Sequence, residues 1–229
     1  MDRYDRHRPL FGEEAFERLR RCRILVAGAG GLGSTVLQLL ARGGFHDIYI
    51  YDDANIDLPD LNRQLLYDTR HLGRSKLEVA CEVLRDINPD ATLHGVPERI
   101  TASTILPDVD IVVDALDTFE ARSVLDDLCH GRRIPWIHGG VSDFFGQVTT
   151  FVPGVTQRFR ELFGSMPSLE AAGGVHTIYP PVVTAVASVM ASEAFMLAGG
   201  NTGNLLTGRL LTIDLRVNAF ECIELAPPR

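Results

Sequence analysis

Residues 23–42 read RILVAGAGGLGSTVLQLLAR, and this stretch decides the fold. Ile24 to Ala27 is a short, uninterrupted apolar run, the pattern of a strand buried on both faces. Gly28, Gly30 and Gly33 follow in G-x-G-x-x-G spacing, with Gly31 inside the turn. A helical pattern then runs over residues 34–42. A strand that enters a glycine turn and leaves as a helix brings free backbone N–H groups and the positive end of a helix dipole to one point. That arrangement suits a phosphate.

The pattern continues outward from this unit. Residues 47–51 (DIYIY) predict a second strand, ending at Asp52, where a carboxylate can accept hydrogen bonds from ribose hydroxyls. The stretch 54–73 is irregular. A helix is expected over 74–87, closed by Asn88-Pro89. Short strands are expected at 91–93, 109–115 and 135–138, with a helix over 119–130. Strands alternating with helices imply right-handed crossovers and a parallel sheet covered on both faces.

The pattern changes after Gly139. Residues 147–151 alternate like an antiparallel strand, and 153–177 show no clear period and read as a mobile loop. An apolar helix opens at Pro180-Pro181, and a last hairpin, 209–215 with 219–225, turns at Val217-Asn218. The expected organisation is one α/β domain over residues 1–229. It has a helical N-terminal segment (1–22) and a Rossmann-like, mostly parallel nucleotide-binding core with helices on both faces (23–140). A C-terminal antiparallel extension completes it (141–229).

Composition narrows the function classes. The 229 residues include 22 basic and 30 acidic side chains, a net charge of −8, which argues against nucleic acid or an anionic membrane as the main partner. The charged N-terminus has no apolar leader core, and Thr184, Ser188, Ser192 and Glu193 interrupt the 180–200 apolar stretch. A cytoplasmic protein that does not span a membrane is expected. Cys22, Cys81, Cys129 and Cys222 show no C-x-x-C spacing, so no zinc site is expected and the thiols read as free and mostly buried.

Three further residues separate kinds of nucleotide. Arg63 and Lys76 follow Asp52 within 25 residues. Two cations at one crevice suit a triphosphate, whose charge must be neutralised before a carboxylate can attack it. A nicotinamide-dependent dehydrogenase would leave both idle. Asp117 lies just past the 109–115 strand, where a carboxylate can hold magnesium against substrate phosphates. Asp117 and Thr118 are also both candidates to cap the following helix. Asp114 reads as structural.

The chain resembles the family that includes the molybdopterin- and thiamine-pathway adenylyltransferases MoeB, ThiF and HesA. Its matching segments run in family order across nearly the whole length. They are Arg3-Tyr4-Asp5-Arg6, Gly28–Gly33, Asp52, Leu61-Asn62-Arg63-Gln64, Gly73-Arg74-Ser75-Lys76, Ile87-Asn88-Pro89, Asp114–Arg122, Gly146-Gln147-Val148 and Ala191–Ala194. The resemblance implies ATP- and magnesium-dependent adenylation of a ubiquitin-like sulfur carrier ending in Gly-Gly. It implies that Asp52 holds the ribose and that Arg63 and Lys76 hold phosphates. Asp117 would hold magnesium, and Asn62, Gln64 and Thr118 would lie at the nucleotide. Arg6 would reach a neighbouring subunit's site in a homodimer.

The chain departs from the family in three places. Pro59-Asp60 stands where Ser-Asn is usual, and Asp117-Thr118 where Asp-Asn is usual. The paired zinc cysteines are absent, and no cysteine lies between Cys129 and Cys222, so thioester or sulfur transfer on this chain is not expected. Two other readings share the motifs. One is adenylation of a small-molecule or tRNA-linked carboxylate, and the other is a non-catalytic nucleotide-binding module.

Overall fold

Arg23–Ala27 forms β1, near the middle of an eight-stranded sheet. The computed structural model describes residues 2–164 and 177–228. From β1 the chain passes through α3 (Gly31–Gly43) to β2 (Asp47–Tyr51), and through α4 (Lys76–Ile87) to β3 (Thr92–Val96). It then returns to the far side of β1 as β4 (Ile111–Asp114), and α5 (Phe119–Arg132) leads to β5 (Trp136–Ser142). The strand order is β3-β2-β1-β4-β5, all parallel, followed by antiparallel β6 (Phe145–Phe151), β7 (Arg209–Asp214) and β8 (Ala219–Glu224). The sequence expectation of a mostly parallel sheet with a C-terminal antiparallel extension agrees with this order.

Helices cover both faces, as crossovers of one hand require when the strand order reverses at β1/β4. On one face α3, α4 and α7 (Pro180–Gly199) bury Ile24, Val26, Ile48, Ile50 and Val113. On the other, α5 and the short α6 (Phe159–Phe163) pack Leu125 and Phe159 onto Leu25, Val112, Trp136 and Phe151. The long apolar helix is a core element here. Val182, Val183, Val186, Ala187, Met190, Ala191 and Ala194 are buried, and α7 lies against α3, β5 and β6.

Several element limits differ from the sequence reading. A four-residue helix, α1 (Arg8–Phe11), precedes α2 (Glu13–Arg21), both within the expected helical segment 1–22. The helix after the glycine turn begins at Gly31 rather than Ser34. Ser75 caps α4, so Arg74 and Ser75 lie outside it. β3 extends to Val96, and β5 runs through Gly139-Gly140 to Ser142, crossing the expected boundary at 140. The aperiodic stretch 153–177 contains α6, while residues 165–176 of that expected mobile loop lie outside the described residues.

The sheet ends in an exposed edge. Every residue of β8 from Phe220 to Glu224 is exposed, including Cys222. The other three cysteines are buried, and burial pushes the Cys22 thiol up to about 12.

Candidate functional site

The reversal of strand order at β1/β4 opens a crevice at the carboxyl ends of the parallel strands. Its floor is the glycine turn. Gly28 has φ +103°, and a Cβ there would stand 2.7 Å from the Ala115 carbonyl oxygen; a Cβ on Gly33 would stand 1.9 Å from the Gly28 oxygen. Side chains at either position would force apart β1, α3 and the loop after β4. Gly30 caps α3 without any side-chain partner, so the first N–H groups of the helix are left for a ligand.

Asp52, at the end of β2, is fixed from both sides. It accepts hydrogen bonds from the Ala29 N–H (2.8 Å) and the Ala54 N–H (2.9 Å). One carboxylate thereby ties the glycine turn to the segment that leads to Arg63, and each oxygen keeps a lone pair for a hydroxyl. Beside it, Arg99 donates to Asp53 (2.8 Å) at the mouth of an open hollow of about 650 Å³ lined by Pro97, Glu98, Thr101 and Ile105. The Arg99 guanidinium is raised chiefly by Asp53, with contributions from Asp117 and Asp52. Sequence reading missed Arg99, which follows a strand too irregular to flag the loop after it.

The residues 58–64 bring the cations in. Leu58–Asn62 is a 3₁₀ turn that delivers Arg63 across the start of α3, where its Cγ would lie 3.5 Å from a Cβ on Gly31. Ser34, fully buried on α3, accepts from the Leu65 N–H and pins this segment down. Lys76 is the first residue of α4, held by its N–H to the Ala54 carbonyl oxygen (2.9 Å). The two cations meet at Asp60. Its carboxylate lies 3.0 Å from Lys76 Nζ and 3.6 Å from Arg63 Nη2, and accepts from Gln64 Nε2 (2.7 Å). Asn62 is exposed and accepts from Arg63 Nη1 (3.0 Å). Gln64 is buried, with its Oε1 unpartnered.

Tyr67, also missed by the sequence reading, underlies the cluster. Its buried hydroxyl lies 2.8 Å from the Ala29 carbonyl oxygen and 3.2 Å from that of Lys76. Burial, followed by the charges of Asp52 and Asp60, raises its pKa, so it stays a neutral donor joining the glycine turn to α4.

Asp117 stands on the opposite wall. Of the two candidates for capping α5, the cap is Thr118, whose hydroxyl accepts from the Ala121 N–H (3.2 Å). The Asp117 carboxylate is left exposed and outside the cap. The loop is set from below by Asp114, which is fully buried and accepts from the Leu116 N–H (3.0 Å) and from His138 Nδ1 (2.7 Å). Burial lowers the His138 pKa despite Asp114, which favours the neutral ring that donates from Nδ1 and accepts at Nε2 from Gln147 (3.3 Å). Arg122 completes the brace, donating to the Leu116 (2.6 Å) and Gly139 (3.3 Å) carbonyl oxygens 3.5 Å from Asp114.

A single exposed carboxylate fits magnesium, which takes one or two protein oxygens and completes its shell with phosphates and water. Among the described residues, no three His, Cys, Asp or Glu side chains converge to hold a metal unaided.

Arg6 is exposed and lies away from this crevice. The charged segment around it is held by its own chain. Tyr4 is buried against Gly44, Asn88 Nδ2 donates to the Tyr4 hydroxyl (3.1 Å), and His7 Nε2 lies 3.0 Å from the Gly43 oxygen. These contacts sit at the C-terminal end of α3, about 18 Å of helix from the glycine turn.

Comparison with known proteins matches the ThiF family model over residues 4–229. A "SAMP-activating enzyme E1" from Haloferax volcanii is 36% identical over 97% of this chain and 84% of its own length. A "Sulfur carrier protein adenylyltransferase" from Thermus thermophilus is 35% identical over 96% of this chain and 85% of its own length. Among solved structures, E. coli MccB with MccA-N7isoASN superposes with a TM-score of 0.88 over 98% of this chain and 72% of that one; at 21% identity it speaks for the fold alone.

Proposed function

Because the chain belongs to the ThiF family, we propose that it adenylates the C-terminal Gly-Gly carboxylate of a ubiquitin-like sulfur carrier protein, using ATP. What supports this reading is that Asp52, Arg63 and Lys76 lie about one glycine turn, with Asp117 in the loop after β4 whose Ala115 packs on Gly28, in a chain whose relatives include a named sulfur carrier protein adenylyltransferase.

The chemistry follows from the placement of charge. Asp52 accepts from the ribose hydroxyls and fixes the nucleoside. The N–H groups at the start of α3 and the cations of Arg63 and Lys76 take the phosphates. A carboxylate oxygen of the carrier attacks the α-phosphorus, and the bond to the β-bridging oxygen breaks. Its electron pair leaves with pyrophosphate, and the product is an acyl-adenylate. No protein nucleophile is needed, because the chain supplies position and charge neutralisation. Magnesium, held by Asp117 and the phosphates, would add charge neutralisation at the leaving group.

A homodimer belongs to the same proposal. Arg6 sits at the far end of α3 from its own glycine turn, so a neighbouring copy's phosphates are the natural target for its guanidinium.

The test is carrier-dependent ATP–pyrophosphate exchange. Exchange should require magnesium and a Gly-Gly carrier, and Asp117→Ala should reduce it about 100-fold or more with the fold intact. Tight ATP binding without exchange, across all Gly-Gly carriers tried, would leave a nucleotide-binding module. Full activity of Asp117→Ala at ordinary magnesium would remove Asp117 from the metal role.

A further inference from the structure

Asp60 is the departure from the family pattern that the function above does not absorb. It sits among the groups expected to receive the triphosphate. Its carboxylate has four close partners: the cations Lys76 Nζ at 3.0 Å and Arg63 Nη2 at 3.6 Å, and the donors Gln64 Nε2 at 2.7 Å and the Asp57 N–H at 3.1 Å. Only 13% of the side chain is exposed, and only 12% of Lys76. This is an anion site filled by the protein's own anion.

A triphosphate reaching Arg63 and Lys76 therefore meets a negative charge already in place. Two like charges a few ångströms apart in a half-buried crevice repel strongly, and the two cations cannot fully serve both. Asp60 has a way out. It lies midway along the short 3₁₀ turn Leu58–Asn62, next to the exposed residues Asp57, Leu58 and Pro59, and the Asp57 N–H and Gln64 can be served by water when it turns away.

We propose that Asp60 is an exchangeable internal anion. It holds Arg63 and Lys76 ordered until the triphosphate displaces it, and it returns to them as pyrophosphate leaves. Nucleotide binding is then a swap of carboxylate for phosphate, and weakly charged anions do not win the swap. The cost is lower affinity for ATP, and the gain is faster release of pyrophosphate. This inference rests on Arg63 and Lys76 being the phosphate cations.

Asp60→Asn and Asp60→Ser test it, since both keep an oxygen for the Asp57 N–H. Binding of Mg-ATP and of adenosine is measured by calorimetry for wild type, both variants and Lys76→Met, and pyrophosphate dissociation by stopped flow. The expected result is ATP binding about tenfold tighter in both Asp60 variants, with adenosine affinity unchanged and pyrophosphate leaving more slowly. If Lys76→Met weakens ATP while the Asp60 variants bind it no tighter than wild type, Asp60 is a fixed brace and the exchange is overturned. A parallel rise in adenosine affinity would overturn it too, because adenosine carries no phosphate to compete. If Lys76→Met leaves ATP binding untouched, the phosphate assignment fails and takes the exchange with it.

Discussion

Glu193 shows how a single residue can set a pH dependence far from the crevice. It lies in α7, and its Oε2 accepts from the Thr150 hydroxyl (2.6 Å) and the Leu206 N–H (2.8 Å). Burial raises its pKa above the ordinary 4.5, and the two donors only partly offset this. The folded state therefore holds the Glu193 proton more tightly than the unfolded state. The associated stability is fully present below about pH 4.5 and is lost as pH rises through the folded pKa. Glu193→Gln, which keeps an acceptor, should remove this slope and equal or exceed wild type at pH 7. Glu193→Ala should cost about 2 kcal/mol by stranding two donors. Urea denaturation from pH 4 to 8 measures both; a wild-type slope unchanged in Glu193→Gln would assign the dependence elsewhere. Asp52 and Asp117 stood out in the sequence as candidates because each follows a recognisable strand, and Arg63 and Lys76 because both cations fall within 25 residues of Asp52. The bond between Asp114 and His138, 24 residues apart, was not legible, nor was Tyr67 beneath the glycine turn. Such pairs exist only once the sheet has brought distant segments together.

Elements were legible where one period dominates. β1, β2, α5 and α7 fall close to their expected limits, because each buries a continuous face. β3 was read short because it is an edge strand of half-exposed residues with no alternation. β5 was cut at Gly139 because glycine reads as a breaker. Here it admits α7, since a Cβ on Gly139 would stand 2.2 Å from Met190 Sδ. The N-terminal segment gives the Ile87-Asn88-Pro89 motif a physical meaning. Asn88 ends α4, donates to the Ala41 carbonyl oxygen (2.9 Å) and to the Tyr4 hydroxyl, and accepts from Arg3 Nη1 (3.0 Å). It clasps two helices and the N-terminal strap together. Asn88→Ala should destabilise the fold by about 2 kcal/mol and speed tryptic cleavage within residues 2–8. Unchanged proteolysis there, despite lower stability, would mean that Tyr4 and His7 suffice to hold the strap.

At the scale of the whole molecule, the strap sets where Arg6 can act. If Arg6 serves a second copy, Arg6→Ala and Asp117→Ala should each be inactive alone, yet mixed dimers should contain one site with both residues intact. Random exchange of chains would restore up to about a quarter of wild-type activity. No recovery, with mixed dimers verified by native mass spectrometry, would confine Arg6 to its own chain or to no role. The same molecule carries a ready point for observing such encounters. Three of its four thiols are sealed in the interior, and the fourth, Cys222, stands open on the outermost strand, at the opposite edge of the eight-stranded sheet from β3. Thiol reagents reach exposed sulfur far sooner than buried sulfur. A maleimide dye should therefore attach once per folded chain, without mutagenesis, and carry a fluorescent signal from the rim opposite the nucleoside end.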